Sequence, residues 1–178
     1  MIERKGSFTS LAHGGQFWPL DPRPDEIRLA DIARALSMQC RWGGHVREFI
    51  SVAQHCVIVS RHCCGYDELG LLHDAAEAYL VDVPTPIKKH LEVYYEIEQR
   101  LLGAIGERFG FGRALESLPP EVHVADARAL ATEHRDFRTS TAAFWTPPAK
   151  PFRERLTSWS PKKAERAFLK RAKELGIK

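Results

Sequence analysis

The chain has 178 residues, 44% of them apolar and 28% charged, with a formal net charge of +3. One domain with a sizeable core fits that length, and so mild a basicity argues little for a nucleic-acid partner. No window resembles a signal peptide and no apolar run approaches a membrane span, so a cytoplasmic protein without membrane segments is expected.

In chain order, Phe8 and the Phe17-Trp18-Pro19-Leu20 stretch predict a short extended segment or hairpin. Ile27, Leu29, Ile32, Ala33 and Leu36 predict an amphipathic helix over 25–39, entered through Pro24-Asp25. A second helix, 51–64, starts at the cap residue Ser51 and places Val52, His55, Cys56 and Val59 on one side. A third runs over 67–80. Residues 92–109 form a longer helix with Ile97, Leu101, Leu102, Ile105 and Phe109 toward the core. Pro119-Pro120 opens a helix over 120–137 carrying Val122, Val124, Ala125, Ala129 and Leu130. A basic helix over 161–175 closes the chain, packing through Ala167, Phe168 and Leu175, with its charged face toward water. Prolines and glycines separate helices rather than domains. The expectation is one all-α domain over 1–178, a helical bundle with short connections. Cys40, Cys56, Cys63 and Cys64 include no C-x-x-C pair, and buried reduced thiols explain them.

The segment from His73 to Pro86 carries the chemistry. His73 and Asp74 are adjacent, Glu77 follows one turn beyond the histidine, and Asp82 lies at the helix end. Four ionisable groups on an otherwise apolar segment are costly to bury unless a cation or a reaction needs them. A third metal ligand has to come from a neighbouring helix, and His55 fits because it sits among apolar residues. Asp126 completes a quartet of ligand types, lying between Val124, Ala125, Ala127 and Ala129. Singly, each has an ordinary explanation: His55 as a core histidine, Asp126 as a cap or a partner of Arg128 or His123, Glu77 as half of a surface salt bridge.

The order His55, His73-Asp74, Asp126 resembles the HD-domain metal-dependent phosphohydrolase superfamily, over about residues 15–137. It is most similar to the branch with bacterial 5′-deoxynucleotidases and phage-type dATP triphosphohydrolases. Phe17 to Pro24, Val52-Ala53-Gln54-His55 and the His73 to Lys88 block carry the likeness. Gln54 stands where a glutamate is more usual, a change beside the site. The resemblance implies an HD-type bundle holding one divalent ion, Co, Mn, Zn or Fe, through His55, His73, Asp74 and Asp126, with Mg on the substrate phosphates. It implies Glu77 and Asp82 as the acid–base pair and Arg41 as a phosphate- or sugar-contacting group beside Gly43-Gly44. Lys88 is placed to reach distal phosphates. Trp18 and Leu20 match a base-stacking element and Pro86 a wall against guanine; Trp18 could equally seal the N-terminal segment onto the core.

The implied reaction is hydrolysis of a deoxynucleotide, dATP foremost, with a 5′-deoxynucleotidase acting on monophosphates as the alternative. A non-catalytic nucleotide-binding or nucleic-acid-binding helical protein is the rival from another class. Apolar surface on helix 92–109 and near Trp145 and Trp159 suggests a homo-oligomer.

Overall fold

The computed structural model describes residues 4–139 and 145–178. The fold is all-α apart from one two-stranded hairpin. Strands β1 (Thr9–Ser10) and β2 (Gln16–Phe17) pair antiparallel, with Thr9 opposite Phe17. The buried Phe17 ring lies 4.1 Å from that of Tyr79, which ties the hairpin to the bundle.

A short turn of helix at Pro24–Glu26 precedes α1 (Leu29–Met38), so the predicted helix 25–39 is split. Ile32, Ala33 and Leu36 are its buried stripe. Helix α2 (Val52–Ser60) begins as expected, with Ser51 Oγ accepting from the Gln54 N–H at 3.1 Å. It ends four residues early, and every residue in it is buried, not one side only. The reason is its central position: α1, α3 (Asp67–Leu72), α7 (Pro120–Phe137) and α8 (Pro161–Glu174) all pack around it. A helix surrounded on every side needs no polar face.

The predicted helix 67–80 is broken. It stops at Leu72, passes through a tight turn, and resumes as α4 (Glu77–Leu80). Ala75 N–H bonds to Leu72 O and Glu77 N–H to Asp74 O, three-residue steps that wind the chain more tightly than an α-helix. Helix α3 lies directly on the end of α2, because Gly70 has no side chain to strike Cys63 Sγ and Ser60. Single-turn α5 (Thr85–Lys88) leads to α6 (Glu92–Phe109), which ends on Gly110 in the left-handed conformation.

Helices α6 and α7 have the bounds predicted from their spacing. Val124, expected inward, is 58% exposed, because it lies on the side of α7 away from the buried Val122, Ala125 and Ala129. Helix α8 packs on α1 and α2 through Ala164, Phe168 and Ala172. Its Arg171 turns inward to Asp67 and to Ser60, so part of the basic face is structural. Among the described residues no helix is long and apolar enough to cross a membrane.

Candidate metal centre

Three elements deliver the quartet to one place: α2 brings His55, the turn after α3 brings His73 and Asp74, and α7 brings Asp126. The Nε2 atoms of His55 and His73 face each other at 3.3 Å. Asp126 Oδ1 lies 3.1 Å from His55 Nε2, and Asp74 Oδ2 lies 3.2 Å from His73 Nε2 and 3.6 Å from His55 Nε2. Adjacent donors around one small divalent ion, at about 2.1 Å from it, are themselves about 3 Å apart. The separations here are of that size.

The outer nitrogens set the orientation of both rings. His73 Nδ1–H donates to Gly70 O at 2.9 Å. His55 Nδ1–H donates to Glu133 Oε1 at 2.6 Å. With the Nδ1 positions occupied, each Nε2 is left for the centre. Glu133 is fully buried; its second oxygen accepts from Arg41 Nε and Trp42 Nε1, each at 3.2 Å. Glu133 is not among the residues expected from the sequence; it sits in a charged run beside His134, Arg135 and Asp136. The signal was its spacing: seven residues after Asp126 is two turns along the same face of α7.

Five carboxylates, those of Asp74, Glu77, Asp82, Asp126 and Glu133, surround one permanent cation, Arg41. Lys88 is nearby, but its Nζ is paired with Glu98 at 2.6 Å. The titration behaviour follows from this excess. Burial and the neighbouring Arg41 both work against a charged His55, yet Glu133 and Asp126 raise it to about 10. His73 is raised despite its burial, through Asp74. Burial likewise opposes ionisation of Asp74, Asp126 and Glu133, but the imidazoles lower all three, helped at Asp74 and Glu133 by Arg41. Glu77 and Asp82 go the other way: burial raises both, and Asp74 adds to it. Protons on the histidines are the compensation available to the chain alone. A divalent cation would supply the same charge.

Two observations favour such a cation. Glu77 is only 6% exposed, and its Oε2 is buried without a hydrogen-bond partner, an expensive arrangement for a carboxyl oxygen. The donor set is also right: His55, His73 and Asp126 form a group that could hold a metal ion. Asp74, His73 and Cys56 form a second such group, which brings in a thiol not singled out in the sequence. Burial and then the nearby Asp74 push the Cys56 thiol up, keeping it protonated and favouring the carboxylate set.

The other predicted residues separate into two groups. Arg41 joins the centre, its Nη1 3.6 Å from Asp74 Oδ2, with most of its charge met by Glu133. Glu77 and Asp82 are held by one side chain: Gln39 Nε2 donates to Glu77 O at 2.9 Å, and Gln39 Oε1 accepts from Asp82 N–H at 3.0 Å. Between them Val81, 61% exposed, has φ of 74°, and Tyr94 donates to its carbonyl. Trp18 stacks under the Arg4 guanidinium at 4.2 Å and beside Phe8, while the Leu20 carbonyl accepts from Arg100. Among the described residues no ring contact or hydrogen bond joins Trp18 or Leu20 to the quartet. Pro86 is exposed on α5. Gln54, where the resemblance has a glutamate, clamps the C-terminal segment: it donates to Thr157 O and accepts from Trp159 N–H.

Comparison with known proteins finds two relatives. The chain is 36% identical over 140 residues to the uncharacterized protein YfdR of Escherichia coli, covering 78% of this chain and 77% of that one. It is 34% identical over 122 residues to an uncharacterized protein of Rhodobacter capsulatus, covering 62% of each. No protein-family model matches the chain.

Proposed function

This chain belongs to the family of the uncharacterized protein YfdR, and we propose that its buried centre is that of an HD-type, divalent-metal-dependent phosphohydrolase acting on deoxynucleotides. The observation that carries the reading is the convergence of His73, Asp74 and Asp126 on His55 Nε2, beside the unpartnered buried oxygen of Glu77. His55, His73, Asp74 and Asp126 would hold the ion, and two imidazoles with two carboxylates suit Mn, Co, Zn or Fe. When bound, such an ion supplies Lewis acidity to phosphate oxygens and acidifies water.

The chain's own residues supply the rest. Glu77, buried next to Asp74 and pushed up by burial, is suited to holding a proton and releasing it to a leaving oxygen. Asp82 is raised by burial with Arg41 opposing, and it is the second group placed to exchange a proton with water. The Gln39 carboxamide holds the two at a fixed spacing through their backbones. Arg41, anchored on Glu133, keeps a positive charge facing the centre, where phosphate oxygens would collect.

Two substrate classes are to be separated. The triphosphate reading, with dATP first, requires Lys88 to leave Glu98 for a distal phosphate. The 2.6 Å ion pair between them favours the second reading, a 5′-deoxynucleotidase acting on monophosphates. The test is a panel of all deoxy- and ribonucleotides at each phosphorylation level, with Mn, Co, Zn and Mg, resolved into products. Release of triphosphate or orthophosphate from a deoxynucleotide, abolished by chelation, is the expected result. No metal-dependent phosphate release from any nucleotide would overturn the proposal.

A further inference from the structure

A second polar feature sits at the C-terminal end of α7, just beyond Glu133. Arg47, His134, Arg135, Arg138 and Trp145 line a cavity of about 480 Å³, a size that suits a small-molecule ligand. No member of the metal quartet lines it.

Its cations differ in how they are used. Arg135 is committed to the fold: its guanidinium grips both oxygens of Asp136 and the carbonyls of Phe152 and Glu154. Arg47 and Arg138 are not committed in this way. Arg47 donates to one carbonyl, that of Asp136, at 3.1 Å. Arg138 lies 4.6 Å above the Trp42 ring. Among the described residues neither has an ion-pair partner. The negative end of a helix dipole favours arginine in the last turn, which accounts for a cation at Arg135 or Arg138. It does not account for Arg47, which arrives from another segment to line the same cavity.

Trp145, His134, Thr146 and Pro147 form the remaining wall. The Trp145 ring is 4.4 Å from His134 and 6.2 Å, edge-on, from Trp42. Guanidiniums without carboxylate partners match the oxygens of a phosphate, and an indole face matches a planar base. We propose that this cavity is a second nucleotide site, taking a nucleoside phosphate with its phosphates on Arg47 and Arg138 and its base against Trp145. The site stands independently of the metal-centre reading. It adjoins the centre through Trp42, which lies under Arg138 and donates to Glu133, the residue that orients His55.

The test is calorimetric titration of the full chain with ADP, in EDTA and phosphate-free buffer, alongside the His73→Ala protein. One equivalent is expected to bind with the same affinity to both. Arg47→Gln and Arg138→Gln should each weaken binding about tenfold or more, the scale of one lost hydrogen bond to a charged group. Trp145→Leu should weaken ADP but not pyrophosphate, and pyrophosphate and adenosine should each bind more weakly than ADP. If one arginine variant does not fold, the other and Trp145→Leu still decide the matter. Absence of ADP binding overturns the proposal, as does binding lost in His73→Ala but kept in Arg47→Gln. Pyrophosphate binding as tightly as ADP would leave an anion site without a base. Binding of a short oligonucleotide with none of ADP would make the cavity a nucleic-acid contact. Either of these results also overturns it.

Discussion

The two polar clusters on α7 handle charge in opposite ways. Along α7, Asp126 and Glu133 belong to a buried centre where charged groups meet partners within 3.6 Å and the uncompensated oxygen of Glu77 stands out. At the C-terminal end, Arg47 and Arg138 line an open cavity with a carbonyl and an aromatic ring for company. Water explains the contrast. An exposed guanidinium is compensated by solvent at little cost, whereas a buried carboxylate has to find a cation in the protein or from outside it. Excess charge in the interior is therefore the stronger indication of a required ligand. Excess charge at the surface indicates a ligand only when geometry adds something, as the Trp145 wall does here.

The sharpest way to break this contrast is at the ligands. Asp74→Ala should abolish the tightly held ion and any metal-dependent hydrolysis together. Elemental analysis of the purified variant checks it, and full metal occupancy would remove Asp74 from the ligand set. Glu77→Ala should act more selectively. It should retain the ion while turnover falls by about two to four orders of magnitude, the scale for losing a positioned acid or base. Near-normal turnover would return Glu77 to a structural role.

Glu133 tests the claim that buried charge has to be matched within the fold. Glu133→Ala strands Arg41 and His55 in the interior, and the metal-free protein should lose about 3–5 kcal/mol of stability by denaturant titration. A loss under about 1 kcal/mol would mean that water reaches the centre, and the contrast with the open cavity would collapse.

Asp136 gives a smaller effect less than one turn further along the helix. Burial opposes its ionisation, but Arg135, the Leu156 N–H and Arg155 outweigh that and hold it at about 2 against an ordinary 3.8. A depressed carboxylate adds stability above its unfolded value, and that contribution is lost as pH falls through the folded one. About 2 kcal/mol should therefore disappear between pH 4 and 2. Asp136→Asn should remove this part of the acid sensitivity, as read from unfolding curves at each pH. An unchanged acid profile would show that the Arg135 anchor is dispensable.

Much of the fold was readable because helical spacing is a local signal. The bounds of α6 and α7 and the Ser51 cap all follow from neighbours within one or two turns. The break between α3 and α4 was not readable, because Leu72 to Leu80 is as good a helix former as its flanks. What tightens it is packing of Gly70 on α2 and the grip of Gln39, both distant in sequence. The candidate ligands were readable as polar residues on apolar faces. Glu133 was hidden in a charged run, and Cys56 among other small buried residues. The partners of Trp18 and Lys88 are Arg4 and Glu98, and pairings of that kind are decided by tertiary geometry.

Val81 shows what such geometry means for the protein's history. A β-branched residue at φ 74° carries strain of about 1–3 kcal/mol that glycine would relieve. Its carbonyl is tied to Tyr94, and the next amide to Gln39, so the strained link is also what aims Asp82. Selection for heat tolerance alone would drift toward glycine at this position, and because both ties are made by the backbone, glycine would keep them.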